Sequence, residues 1–541
     1  YFASEHLSGP LGKDLKQCLW LVDNERVGSI EQSIQYFIPL WVKRNPDFVK
    51  SILILYTVLQ QTSKEDQARI LDKSLDMILQ STYEKMKHYA HDLQMPVTVL
   101  HTFGMMLPLI GLIAFPMLSV FMSSNIKISH LFFGYVIVMP GLLYFFTMRI
   151  IAKRPGAFSY PDITNNPYVP PEGTYRMRWK QQDYLLPVLQ VSFIIGLLVV
   201  IPGIYHVMFE TVPAMMENAR NRMEVSKKIP KNLENEYTVA SILMTLTIPV
   251  GLGLGIALYF YLKSIQKLKI RDEVIEIEED LGGALFQFSN QFTEQVPVEQ
   301  AVQAFVNEYK LLNLKKRSIF NFFSAVLDRM QDEGVTFDTA IFQQRLGIII
   351  RYPSVLLKEV VWIISEGAKK GSSIIYSILV KISIYLDNTK KIKELIYDLL
   401  TETVTSVNMQ AKFLTPFIAA IVGSLTAVII RALYIMSQKL EEIMNSMMMG
   451  GGGSSSGFFS DFVDFTNIVP PTVFQILVGI YMVETVILLS LLANGIENGF
   501  DKVSRDVTIA RNMFMAITVY TIVTIIGSYA LDSLITTGAA L

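Results

Sequence analysis

The chain has 541 residues, 51% of them hydrophobic, and a mean hydropathy of +0.37. Its formal net charge of −1 gives no argument for binding nucleic acid. A single cysteine, Cys18, excludes an intrachain disulfide and any cysteine-based zinc site.

The chain opens on Tyr1 rather than Met, so its natural N-terminus is expected upstream. Residues 1–95 are too polar to enter a bilayer, and their apolar positions recur at helical spacing. They are read as a first helical domain. Ser29 followed by Gln32 forms a capping box, hydroxyl and amide each meeting an orphan helix N–H. Ser63 before Glu65 and Asp66 places a cap and then acids at the positive end of a helix. Pro46, Pro297 and Pro353 each suit a first helical position, where a missing N–H costs nothing. His88, His91 and Asp92 share one helix face, but no third ligand accompanies them, and no metal or other cofactor is predicted.

Four apolar runs follow within residues 96–262: Val97–Met122, Ile128–Met148, Tyr184–Phe209 and Thr238–Leu262. Three more lie within residues 412–541: Phe413–Ile430, Thr472–Leu492 and Asn512–Leu531. At about 1.5 Å rise per residue, roughly 20 apolar residues cross the hydrocarbon. Every backbone polar group must be satisfied internally there, so the runs are predicted to be helices. They tolerate Pro108, Pro116, Pro140, Pro202 and Pro249, as membrane helices do when neighbours re-satisfy the freed groups. Gly251, Gly253 and Gly255 lie inside the fourth run and read as small residues for close helix approach, not as a dinucleotide turn. Glu484 is the one Asp, Glu, Lys or Arg inside the seven runs, and Arg431 follows the fifth. Intramembrane charge is costly, so both are candidate functional residues, as an ion pair or in recognition of a membrane substrate.

Lys153, Arg154, Arg176, Arg178 and Lys180 lie between spans two and three, and Lys263, Lys267, Lys269 and Arg271 follow span four. Lys502, Arg505 and Arg511 lie between spans six and seven. The positive-inside rule makes these ends cytoplasmic, against a dissenting basic loop at Arg220–Lys231. Residues 263–411 then form a second cytoplasmic helical domain. A cytoplasmic loop is expected at 152–183, and a flexible outer loop, carrying Gly450–Gly453 and Ser454–Ser456, at 437–471. The fold class is all-α: a polytopic bundle of about seven spans with two homologous cytoplasmic helical domains, and no alternating pattern argues for a sheet.

The homology is read from an internal repeat. Asn24–Ile30 lies 307 positions before Gln331–Phe337, and Arg44-Asn45-Pro46 pairs with Arg351-Tyr352-Pro353 at the same offset. Between span four and the second domain, Lys263, Lys267, Lys269 and Arg271 give way to Asp272, Glu273, Glu276, Glu278, Glu279 and Asp280. This stretch reads as a stiff stalk, basic residues at lipid headgroups and Glu276, Glu278 and Glu279 facing a basic protein surface. The loop with Lys502 and Arg505 is a further candidate contact. No P-loop is present: Gly367–Ser373 lacks the phosphate-cradling spacing.

Several segments carry a family resemblance. They are Phe286–Phe292, Val296–Val302, Gly334–Ile341, Tyr352-Pro353 and Glu366–Gly371. In their order they resemble the type II secretion system F-domain family, the platform proteins of type IV pilus-like machines. Tyr89–Pro96 and Gly495–Lys502 look like the archaeal, archaellum-type branch. The resemblance implies a non-enzymatic scaffold in the cell membrane, a platform that forms a homodimer. Its implied partners are a cytoplasmic hexameric secretion-type ATPase, prepilin or pilin subunits, and membrane lipids. The competing class is a transporter, for which only Glu484 supplies a midplane polar group. An intramembrane protease finds no Asp pair, no His-Glu metal motif and no Ser–His arrangement in the spans.

Overall fold

The computed structural model describes residues 9–58, 61, 63–121, 128–155, 163, 166–180, 182–213, 239–292, 296–369, 371–426, 428–429, 432, 439 and 470–539. The outer-loop segment 440–469, the dissenting loop 214–238 and Arg431 lie outside them. The described chain is helical apart from one hairpin. Its elements are α1 (Gly9–Asp23), α2 (Ile30–Arg44), α3 (Pro46–Val58), α4 (Lys64–His101), α5 (Leu107–Phe121), α6 (Ile128–Phe132) and α7 (Met139–Ala152). The hairpin, β1 (Thr174–Trp179) and β2 (Gln182–Pro187), leads to α8 (Val188–His206) and α9 (Val239–Asn290). Then come α10 (Val298–Leu311), α11 (Ser318–Glu333), α12 (Phe337–Phe342), α13 (Val355–Ala368), α14 (Ser372–Met409), α15 (Pro471–Asn498) and α16 (Lys502–Ala539). Among the described residues, seven helical stretches are long and apolar enough to cross a membrane, one at each of the seven apolar runs.

The chain divides into two compact units. One comprises residues 1–89, 155–168 and 270–399; the other comprises 90–154, 169–269 and 400–541. The expected loop 152–183 is therefore split between them.

In the first unit, two separate cores form. Cys18, Phe37, Trp41 and Val49 make the smaller, fixed by Trp41 Nε1 donating to Asp14 at 2.9 Å and Ser33 Oγ donating to the Cys18 carbonyl at 2.9 Å. The larger is built on Phe288, Phe305 and Phe323, whose ring centroids lie 4.8–5.5 Å apart. Asn166, from the 155–168 segment, donates to the Ile350 carbonyl at 2.8 Å. The caps follow the sequence: Ser29 accepts from the Gln32 N–H, whose side chain accepts from the Gly28 N–H. Pro46 opens α3, whereas Pro297 is the cap before α10 and Pro353 precedes the Ser354 cap of α13.

In the second unit, the hairpin corrects two expectations. A sheet is present, and the third span starts at Val188, not Tyr184, because residues 184–187 are strand and pair with 174–177. Pro187 is extended, with ψ of 108°, and the Val188 N–H makes the last cross-strand bond, to the Gly173 carbonyl at 3.0 Å, as the helix begins. Gln266 of α9 clamps β1 from both sides, accepting from the Arg176 N–H at 3.0 Å and donating to its carbonyl at 2.6 Å.

Among the described residues four π turns interrupt the helices: Thr102–Met106, Phe133–Val138, Val207–Thr211 and Gln410–Leu414. Each ends two positions before a proline, namely Pro108, Pro140, Pro213 and Pro416. A proline has no N–H for the carbonyl four residues back, and its ring crowds that carbonyl. Widening the preceding turn to i→i+5 bonding relieves the clash, as the Leu107 N–H bonding to the Thr102 carbonyl shows.

Element boundaries recur along the chain. α4 and its π turn, Lys64–His101 and Thr102–Met106, are matched 308 positions later by α14 and its π turn, Ser372–Met409 and Gln410–Leu414. Ser29 and Thr336, 307 apart, both cap a helix through the N–H three residues on. The buried residues Tyr89, Leu93, Val97 and Leu100 are likewise 307 before buried Ile396, Leu400, Val404 and Val407.

Candidate functional site

Helix α9 carries the charged stretch singled out by sequence. The structure turns part of it inward. Glu276 accepts from the Ser318 hydroxyl at 2.6 Å, at the first residue of α11, and Arg317 just before it pairs with Asp280 at 3.2 Å. Glu278 accepts from the Ser354 hydroxyl, and that oxygen in turn accepts from the Leu357 N–H to cap α13. Two carboxylates thus stand at the positive ends of two helices of their own lobe, where they offset the unpaired N–H groups. Burial pushes the Glu278 carboxyl above its ordinary value, against the Ser354 bond and nearby Lys393, which pull it down. Lys267 and Arg271 are buried, while Lys269 and Glu279 stay exposed, Glu279 with Lys393 at 3.4 Å. The stretch therefore does not offer a continuous acidic face to a partner; its exposed charges are Lys269, Asp272 and Glu279. The alternation of basic and acidic residues was legible in sequence, but their partners lie about 40 and 76 positions away.

The Gly495–Lys502 motif builds the turn joining α15 to α16. Arg154, two residues past the end of α7, closes it, Nε donating to the Ile496 carbonyl and Nη2 to the Glu497 carbonyl, both at 3.0 Å. Those are last-turn carbonyls of α15, which no helix N–H can reach. Gly499 has φ of +65°, and a Cβ there would meet Arg154 Nη1 at 2.7 Å, so glycine is required twice over. Asp501 then caps α16 by accepting from the Val503 and Ser504 N–H groups. Next along α16, Asp506 is buried between Lys263 of α9 at 2.9 Å and Arg505 at 2.7 Å. Arg505 is thereby committed to an ion pair, and Lys502 is the exposed charge of this loop.

Deeper in the bundle, Glu484 on α15 is half-buried and its Oε2 is shut off without a hydrogen-bond partner. Its proposed partner Arg431 lies outside the described residues. One turn away, Tyr481 donates to the Gly104 carbonyl at 2.6 Å. Gly104 stands four positions before Pro108, so the carbonyl stripped of its donor by proline is met by a phenol from another helix. A Cβ at Gly104 would collide with Leu143. Sequence reasoning missed this pair, and it also missed His206, whose Nδ1 lies 2.9 Å from Glu210 in the π turn after α8. The expected third span stopped at Phe209, one residue short of Glu210. Among the described residues no group of three or more His, Cys, Asp or Glu stands together as a metal site.

The chain matches no family model, no curated protein and no solved structure.

Proposed function

We propose that the chain is an integral-membrane platform of a type IV pilus-like filament assembly or secretion machine. It passes work from a cytoplasmic hexameric ATPase to pilin extraction and filament assembly. One observation carries the reading: a capped lobe, a 38-residue helix and a proline-relieved π turn at the entry to an apolar span recur in the same order about 308 positions apart. A duplicated lobe-plus-span unit fits a part that transmits displacement, because each long helix carries lobe residues at one end and bundle residues at the other. The reading is consistent with the sequence, which has no phosphate-binding loop and so needs an external source of energy. Gly367 lies within α13, with no strand before it.

In this reading both lobes are cytoplasmic and arose by duplication, and the motor contacts exposed charges that include Lys269, Asp272, Glu279 and Lys502. The test is co-purification of the full chain with the secretion ATPase and prepilin. Reversing Lys269, Glu279 and Lys502 together is expected to weaken ATPase capture in a salt-sensitive way. Loss of surface filaments on deletion, with prepilin processing intact, supports the scaffold. A transporter is the second reading, favoured by the unpartnered Glu484 carboxylate. Substrate-dependent flux in proteoliposomes, without ATPase capture, selects it.

A further inference from the structure

The bundle end opposite the 499–501 turn has its polarity inside out. On α16, Tyr520, Thr524 and Ser528 follow one another at four-residue spacing and are all buried. Ile522, Ile526 and Tyr529 on the other side of the same helix are more than half exposed. On α15, Thr472 and Gln475 are buried on the face that carries Gly479. A Cβ at Gly479 would press into the Pro249 ring of α9 and come within 3.2 Å of the Tyr520 hydroxyl, so three helices meet there.

The two helices run antiparallel, and two points fix their register: Gly479 faces Tyr520, and Ser490 accepts from Asn512 at 3.0 Å. At equal rise, Gln475 then stands level with Thr524, and Thr472 with Ser528. Thr245 Oγ1 of α9 lies 3.4 Å from Gln475 Oε1. Ser424, from the stretch after α14, lies where a Cβ on Gly527 would meet its Oγ at 2.7 Å. Four helical segments therefore converge on one polar seam.

Within this seam the Tyr520, Thr524, Ser528, Thr472 and Ser424 hydroxyls and the Gln475 amide nitrogen have no hydrogen-bond partner. Each such group is destabilising while shut off and unpaired. A packed apolar core of the same shape would use valine, phenylalanine and leucine at these positions at no such cost.

We propose that the four helical segments part at this end to admit water, making an uncharged, water-binding crevice between Thr472 and Tyr520. Its depth, from Thr472 to Gly479, is about 10 Å by helical rise. The apolar path through this part of the bundle is shorter by that amount when the crevice is filled.

Substituted-cysteine reactivity tests this in the full chain in membranes, on a Cys18→Ala background. Thr524→Cys and Ser528→Cys are treated with the small neutral reagent 2-hydroxyethyl methanethiosulfonate. Ala516→Cys and Ala493→Cys, both fully buried apolar positions of the same two helices, are the references. The reagent needs a thiolate, which forms only where water reaches, so positions 524 and 528 are expected to react about tenfold faster or more. Equal rates at all four positions, whether fast or slow, overturn the proposal.

Discussion

The bond from Tyr481 to the Gly104 carbonyl exists because Pro108 removes that carbonyl's own donor, and this makes its energy separable. Tyr481→Phe removes the phenolic hydrogen and leaves a buried carbonyl unpaired. Such a loss costs about 1–3 kcal/mol in soluble proteins, while interhelical hydrogen bonds in membrane proteins average about 0.6 and reach about 1.7. Tyr481 is fully buried and the bond is short, at 2.6 Å, which places the expected cost near the upper membrane figure, about 1–1.5 kcal/mol. Pro108→Ala restores an N–H within the helix that can serve Gly104. In that background Tyr481→Phe is expected to cost almost nothing, giving a coupling energy of about 1 kcal/mol in a double-mutant cycle. Packing lost with the proline ring cancels in the cycle. The assay is reversible SDS-driven unfolding of the purified full chain, comparing all four proteins. Equal costs of Tyr481→Phe in both backgrounds, within about 0.3 kcal/mol, refute the reasoning.

Arg154→Met frees two terminal carbonyls of α15 and is expected to destabilise the bundle by about 1–3 kcal/mol, read as a lower thermal midpoint in detergent. Gly499→Ala should do the same through its left-handed backbone and the collision with Arg154, and an unchanged midpoint would refute that account. Ser354→Ala removes the α13 cap and the Glu278 partner together; a loss of about 1 kcal/mol in thermal unfolding is expected. The hydrogen bond from Lys85, with those from Ser81 and Lys50, holds the Asp47 carboxyl well below the usual carboxylate range. Its folded-state value is below its unfolded one, so the stabilisation is present above about pH 4 and is lost as pH falls through the folded value. Circular dichroism from pH 6 to pH 2 should show a shallower acid loss for Asp47→Asn than for the parent chain.

Hydropathy, caps and prolines are local properties, and they carried most of the fold. All seven apolar runs became helices because a backbone in hydrocarbon has no other means of pairing its polar groups. Ser29 and Pro46 act where they stand, since a cap bonds within four residues. The π turns were not legible: each stands two positions ahead of a proline, but Pro39, Pro96, Pro202 and Pro249 lie inside α-helices without one. The β1–β2 hairpin was missed although Thr174–Trp179 alternates polar and apolar residues strictly, because the run is only six residues long and the apolar end of β2 blends into the third span. What charges do was settled by residues far along the chain. Glu276 and Glu278 look like a motor-facing surface until Ser318 and Ser354 fold onto them, and Arg505 looks free until Asp506 is buried beside Lys263. A side chain's local pattern sets which helix it belongs to, but its electrostatic partner depends on which helices pack together, and packing is decided only by the whole chain.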